Sequence, residues 1–331
     1  MNTDPDHDAA LWRAARDLAP APVAAIEPAG SGANSHVYRL RCDDADFALK
    51  QYPTPARDLR DRLGVEWRAL TFLAENGVDA VARPIARSRT SGFVLMEWLA
   101  GTPVARHGPD DLRQAIAFMS RVFDLSRRPE ALSFPPAAEA CLSASAIVAQ
   151  IEQRRAAFAR DAGLDRFLGE RFQSVYRNAR DSALGSEWAG ALPSARRRLI
   201  PADFGFHNAL RGTDGRLRYF DFDYFGWDDP VKLAADFILH PAMSLTPDED
   251  ALVARALAAA LPDDRLFLPR LDALLPLHAL RWSLILLNPF RADRKPAGPT
   301  DDEKVLSRQL AKARRMTARA SSFLGGRFAL E

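Results

Sequence analysis

The chain reads as an α+β protein, with a β-rich N-terminal part running to about Leu99 and a larger helical part beyond it. Three observations carry this reading. Short runs alternating apolar and polar residues crowd the N-terminal part. Apolar residues at helical spacing dominate from Asp110 onward, and a single short hairpin, around Gly212-Thr213-Asp214-Gly215, interrupts them. At 331 residues the chain suffices for one large domain or two modest ones. The expected division is 1–99 and 100–331, with the polar, acidic residues 1–10 disordered.

Taken in order, Ile26 to Leu40 reads as strand, small-residue turn, strand. The turn holds Gly30, Ser31, Gly32 and Asn34, and its backbone N–H groups can approach phosphate oxygens unobstructed, or it can simply be a hairpin turn. A third strand, Asp46 to Lys50, alternates Phe47 and Leu49 against Ala48 and Lys50. Lys50 ends that strand, either exposed or reaching α- and β-phosphates. The next segment, Asp58 to Glu75, carries Leu59, Leu63, Trp67, Leu70 and Leu73 as a helical stripe, with Glu66 inside it. A carboxylate there is costly unless paired, and Lys50 is the natural partner; the alternative is a solvated glutamate at the stripe's edge. Gly92 to Gly101 is an apolar strand entering a glycine-ended linker, where the backbone around Met96 and Trp98 can contact an adenine ring.

The helical part follows as Asp110 to Arg127, two helices within Ala137 to Ala183 around Asp161-Ala162-Gly163, then Pro230 to His240, Glu249 to Leu261, Leu268 to Leu287 and Asp302 to Phe323. The most apolar late stretch, Leu274 to Phe290, is interrupted by His278, Arg281 and Asn288, which suits a buried helix and not a membrane span.

Within this part lies Pro201-Ala202-Asp203-Phe204-Gly205-Phe206-His207-Asn208, followed thirteen residues later by Asp221-Phe222-Asp223. Asp214-Gly215 favours a two-residue turn, which sets Asn208 directly opposite Asp221 on one face; a four-residue loop slips the register by two and makes the pair diagonal. Either way a carboxamide and a carboxylate meet, the oxygen ligands that suit Mg²⁺. Asp203, upstream in a loop, is placed to accept a hydroxyl proton. A polar-rimmed hairpin with a chance D-x4-N spacing is the plain alternative.

This order of parts resembles the aminoglycoside phosphotransferase and choline kinase-like family of small-molecule kinases, which have the two-lobed protein-kinase-like fold. The features from Gly30 to Asp236 cover about two thirds of the chain. The family's catalytic loop, similar to H-G-D-x-x-x-x-N, corresponds to Pro201-Ala202-Asp203 through Asn208, and its metal strand to Phe220-Asp221-Phe222-Asp223, then Gly226, Asp229-Pro230 and Asp236. By resemblance, Asp203 is the catalytic base, Asn208 and Asp221 bind Mg²⁺, and Lys50 with Glu66 holds the phosphates of ATP. The resemblance implies a small β-rich nucleotide lobe, a helical lobe with the catalytic loop and acceptor site, and a small-molecule hydroxyl as acceptor.

The chain departs from the pattern at Pro201, where the family has histidine, and in Phe204-Gly205-Phe206-His207, where a Leu-His-Pro-Gly-like run is common. His207 is a candidate for contacting substrate or for stabilising the loop backbone. Asp223 is a candidate for a second metal ion or for a structural hydrogen bond. Asp229-Pro230 reads as a helix cap and first-turn proline, and Asp236 as an anchor for the catalytic loop. A nucleotide-binding pseudokinase, and a helical protein with an incidental hairpin, remain the rival readings.

Net charge of +2 leaves no overall nucleic-acid or membrane footprint. Cys42 and Cys141 form no C-x-x-C pair and read as free thiols of a cytoplasmic protein. The polar start excludes a secretory signal, and nothing in the sequence calls for an obligate protein partner. No long polar segment separates Asp221 from Asp236, which favours a small acceptor over a protein one.

Overall fold

A computed structural model describes residues 5–31, 35–53, 60–293 and 299–328. Contacts group the chain into two units. The first comprises 1–118, 127–138 and 201–226; the second comprises 119–126, 139–200 and 227–331. The N-terminal strands and the loop and hairpin that carry Asp203, Asn208 and Asp221 thus fall within one unit.

That unit opens with helix α1 (Pro5–Leu18), which begins inside the stretch expected to be disordered. Leu11, Ala14 and Ala15 of α1 are buried with Leu40, Leu49, Phe93 and Leu95. These apolar positions give the acidic segment a face to bury, which its composition alone conceals. The sheet beneath has strands β1 (Val23–Ser31), β2 (His36–Cys42), β3 (Asp46–Gln51), β4 (Pro84–Ser88) and β5 (Phe93–Glu97). Their order is β1-β2-β3-β5-β4, antiparallel throughout, with Leu49 opposite Leu95 and Lys50 opposite Val94. Side chains alternate along a strand, so Leu49 joins the α1 core while Lys50 points to the other face. Helix α2 (Arg62–Glu75) supplies Glu66 there. Asp61 caps α2 by accepting the Gly64 N–H at 2.9 Å; the expected start at Asp58 and Leu59 lie outside the described residues.

A three-stranded sheet, β6 (Thr102–Pro103), β8 (Ala209–Arg211) and β9 (Leu217–Tyr219), completes the strands of this unit. The hairpin register corrects both sequence options. Ala209 faces Tyr219 and Arg211 faces Leu217, so Asn208 lies against Phe220, whose N–H it accepts at 3.1 Å, and not against Asp221. The cause is a three-residue connection. Gly212 and Arg216 close it at 2.9 Å, and Gly215 adopts φ +76°, the left-handed residue that adds one position to such a loop. A shift of one residue exchanges faces, so strand pairing does not by itself bring Asn208 and Asp221 together.

Helix α3 (Pro109–Leu125) runs from the first unit into the second. Next come α4 (Ala144–Ala156), α5 (Ala162–Phe167), α6 (Gln173–Leu184), strand β7 (Arg198–Ile200), strand β10 (Gly226–Asp228), α7 (Pro230–Leu239), α8 (Pro247–Ala259), α9 (Phe267–Leu286) and α10 (Pro299–Ser322). Asp161 caps α5, so the expected break stands, just ahead of Ala162-Gly163. No described helix is long and apolar enough to cross a membrane.

Charges inside the second unit are paired. Asp229 caps α7 through the Val231 N–H and also receives Arg270 at 2.9 Å; Arg270 reaches Asp264 at 2.6 Å. Asp236 accepts from Trp282 at 2.8 Å and Arg281 at 2.5 Å, with Lys232 3.1 Å away, so its carboxylate serves α7 and α9. Burial, then Arg281, pushes the pKa of the enclosed His278 down to about 3.

Two predictions follow from these packings. A Cβ on Gly226 would stand 2.5 Å from the Ala137 nitrogen and from the Pro135 carbonyl oxygen. Gly226→Ala should therefore cost about 1–3 kcal/mol in urea unfolding, because backbone cannot yield as a side-chain tip can. For His278 the folded pKa lies below the unfolded one, near 6.5. The unfolded chain takes the proton first, so stability falls as pH drops below about 6.5, by up to about 1.4 kcal/mol per pH unit. Urea midpoints at pH 7 and pH 5 should converge in His278→Leu relative to wild type.

Candidate active site

Lys50 is the centre of the site. Its Nζ lies 2.6 Å from Glu66 Oε2 and 2.6 Å from Asp221 Oδ1, with only 5 % of the residue exposed. Burial works to lower its pKa, but Glu66, then Asp221 and Asp223, outweigh it and hold the ammonium form well above its ordinary range. Glu66, 1 % exposed, is satisfied at both oxygens. Oε2 accepts from Lys50 and from the Tyr52 hydroxyl, while Oε1 accepts the Phe222 N–H at 3.1 Å. One carboxylate on α2 therefore fixes both the β3 lysine and the backbone just after Asp221.

Asp221 and Asp203 both sit in left-handed backbone, at φ +71° and φ +64°. Aspartate tolerates this region better than most residues, yet it persists only where neighbours impose it. At Asp221 it breaks the strand alternation. The Lys50 contact and the Phe222 N–H bond hold the turn that follows. Asp223, two residues on, is buried and pairs with Arg62 of α2 at 2.5 Å. Burial, then the charge of Asp221, pushes its carboxyl up to about 7 against the pull of Lys50. Its contact in this structure is thus the structural one. Three carboxyl groups, Glu66, Asp221 and Asp223, face two cations, Lys50 and Arg62, so an excess of negative charge develops as Asp223 ionises above about pH 7.

In the loop from Pro201 to Asn208, Asn208 donates from Nδ2 to the Asp203 carbonyl at 3.0 Å, closing the D-x4-N segment on itself. His207 Nε2 lies 3.5 Å from Asp203 Oδ1. Pro201 and Ala202 are buried, and the loop's support is aromatic. Phe204 stacks on Phe118 with centroids 5.1 Å apart and touches Tyr219 at 4.7 Å; Phe206 stacks on His107 at 5.0 Å. The chain of rings continues from Phe118 to Phe222 (6.1 Å), Phe225 (6.4 Å), Phe134 (5.1 Å) and Phe72 of α2 (5.3 Å).

Of the candidates for nucleotide contact, Ser31 ends β1 opposite His36. Gly32 and Asn34 lie outside the described residues. Met96 is buried in β5 between Ala48 and Pro84, and the Trp98 ring lies 4.6 Å beneath the Arg39 guanidinium. Sequence reading missed Tyr52 and Arg62 as partners of the acidic cluster. Tyr52, just past the end of β3, continues its alternation with Lys50, which was a usable signal; Arg62, the first residue of α2, offered none.

The sequence model of the phosphotransferase enzyme family (APH) matches residues 25–271, and the chain belongs to that family. Its fold is the protein-kinase-like one of solved small-molecule kinases. Choline kinase LicA from Streptococcus pneumoniae is similar at 13 % identity and TM-score 0.59, over 96 % of this chain and 100 % of that one. Spectinomycin phosphotransferase APH(9)-Ia, solved with ADP and spectinomycin, is similar at 9 % identity and TM-score 0.63, over 96 % and 99 %. Plasmodium vivax ethanolamine kinase is similar at 10 % identity and TM-score 0.59, over 95 % and 89 %. No curated protein matches the sequence.

Tyr52→Phe keeps the ring and removes one donor from a buried carboxylate. It should cost about 1.5–3 kcal/mol of stability, the worth of a hydrogen bond to a charged group. An unchanged urea midpoint would show that Glu66 does not depend on it.

Proposed function

We propose that this protein is an ATP- and Mg²⁺-dependent kinase that phosphorylates a hydroxyl of a small molecule such as a sugar or amino alcohol. The observation that carries the reading is Lys50, bridged at 2.6 Å to both Glu66 and Asp221. It joins the strand lysine, helix glutamate and metal-strand aspartate of the family pattern in one cluster. Residues 1–99 are proposed as the nucleotide lobe and 100–331 as the lobe bearing the catalytic loop and acceptor site. The cytoplasm, with its ATP and reduced thiols, is the proposed compartment.

The donor set suits a hard cation. Among the described residues, Asp221 keeps Oδ2 unengaged beside its Lys50 contact, and Asn208, donating from Nδ2, keeps its carbonyl Oδ1 available. Two such oxygens are what Mg²⁺ takes from a protein when phosphates and water complete its shell. The excess of carboxylate charge that develops around Lys50 as Asp223 ionises favours a cation as well. When bound, Mg²⁺ neutralises charge on the phosphates and orients them. Lys50, kept protonated by its acidic neighbours, donates to phosphate oxygens. Glu66, pinned by Tyr52 and the Phe222 N–H, holds that ammonium in place. Asp203, on its left-handed turn, accepts the acceptor hydroxyl's hydrogen bond and orients its oxygen for attack. Ser31, Gly32 and Asn34 cover the phosphates and the backbone at Met96 and Trp98 meets the adenine.

The experiment is turnover against a panel of hydroxylated metabolites, followed as ADP release and added phosphoryl mass. Asp203→Asn keeps size and much of the hydrogen bonding but removes the charge, so kcat should fall by about 10²-fold or more with ATP affinity nearly unchanged. Asp221→Ala should abolish turnover, and Lys50→Ala should weaken ATP binding more than Glu66→Ala does. If wild type binds Mg·ATP yet no acceptor yields ADP above the Asp203→Asn background, the protein is a pseudokinase.

A further inference from the structure

Helices α5 and α6 are joined without a break by a turn of wider, π-type helix, Leu168–Phe172. Such turns recur at functional sites because the extra residue displaces the side chains that follow. This turn, the end of α5 and the C-terminal half of α10 line a cavity of about 410 Å³ within the second unit. Four arginines, Arg166, Arg171, Arg314 and Arg315, surround it, against a single carboxylate, Glu170. The buried ring of Phe167 gives it an apolar wall.

Several arginines of the unit have acidic partners, as Arg154 has Glu139, Arg198 has Asp263 and Arg270 has Asp229. Among the described residues, none of the four cavity arginines lies within ion-pairing distance of a carboxylate. Unneutralised like charges around a concave surface focus a field that draws in anions. The guanidinium fork matches phosphate oxygens two at a time. The volume falls in the range of small-molecule sites. A net charge of only +2 over the whole chain argues against a general polyanion surface.

We propose that this cavity binds a small organic phosphate, its phosphate on the four guanidinium groups and its apolar body against Phe167. The ligand is held and not consumed, and the site is separate from the Lys50 cluster, so the proposal does not rest on the kinase reading.

Phenyl phosphate is the probe, titrated calorimetrically into the full chain at low ionic strength, with inorganic phosphate as comparison. Saturable one-to-one binding is expected, about tenfold tighter for phenyl phosphate, the equivalent of about 1.4 kcal/mol from the ring. The double variant R171E/R315E should weaken it at least tenfold with an unchanged melting temperature; R171Q/R315Q serves if charge reversal disturbs folding. Lys50→Met should leave it unaltered. No binding, equal affinity for the two probes, or undiminished binding in the arginine variants overturns the proposal. Binding of an RNA oligonucleotide through these arginines without phenyl phosphate binding also overturns it, in favour of a macromolecular polyanion.

Discussion

The contact on which the site depends is the buried ammonium of Lys50 held between Glu66 and Asp221. A buried charge is tolerable only when paired, and buried Lys50 and Glu66 each depend on their partners, while Asp221 is half-buried. Lys50 compensates two carboxylates, and Glu66 compensates Lys50 while accepting from Tyr52 and the backbone of Phe222. The cluster therefore ties β3, α2 and the turn after β9 into one electrostatic unit. Displacing Lys50 or Glu66 would strand a buried charge, so the geometry proposed for holding phosphate and metal is also one that folding favours.

Aromatic packing is the second constraint. Proline at position 201 has no side-chain donor or acceptor with which to brace the loop that carries Asp203. Phe204 on Phe118 and Tyr219, and Phe206 on His107, take up that support through burial and ring stacking. The ring chain reaches Phe72 of α2, the helix that carries Glu66. The loop that presents Asp203 and the helix that positions Lys50 thus share one apolar framework. The stack of Phe204 on Phe118 and Tyr219 requires no protonation state, unlike a histidine's hydrogen bonds, which suits it to holding the left-handed turn at Asp203.

The two units handle charge differently. In the helical unit Asp229, Asp236, Arg270 and Arg281 are buried in ion pairs, Asp229 with Arg270 and Asp236 with Arg281. In the first unit the carboxyl groups around Lys50 outnumber their cations, and burial with repulsion lifts the Asp223 carboxyl to about 7. A buried cluster with one strongly raised carboxyl is the expected signature of a functional-site candidate.

Much of this was legible in the sequence, because the relevant signals are local. Two-residue alternation set out β3, an apolar run before a glycine set out β5, helical spacing set out α3 and α7 to α10, and a glutamate inside an apolar stripe demanded the lysine it has. Other features required the folded chain. Helix α1 was hidden by acidic composition, and its apolar face is defined only by the sheet it covers. The hairpin register turned on a single left-handed glycine, Gly215, since turn residues permit several loop lengths and one residue exchanges the faces. The Arg62 and Asp223 pair joins residues far apart in the chain, as does the stack of Phe118 on Phe204. Periodicity along a chain determines which face of an element is buried; which residues meet across elements depends on backbone turns and packing that no local pattern encodes.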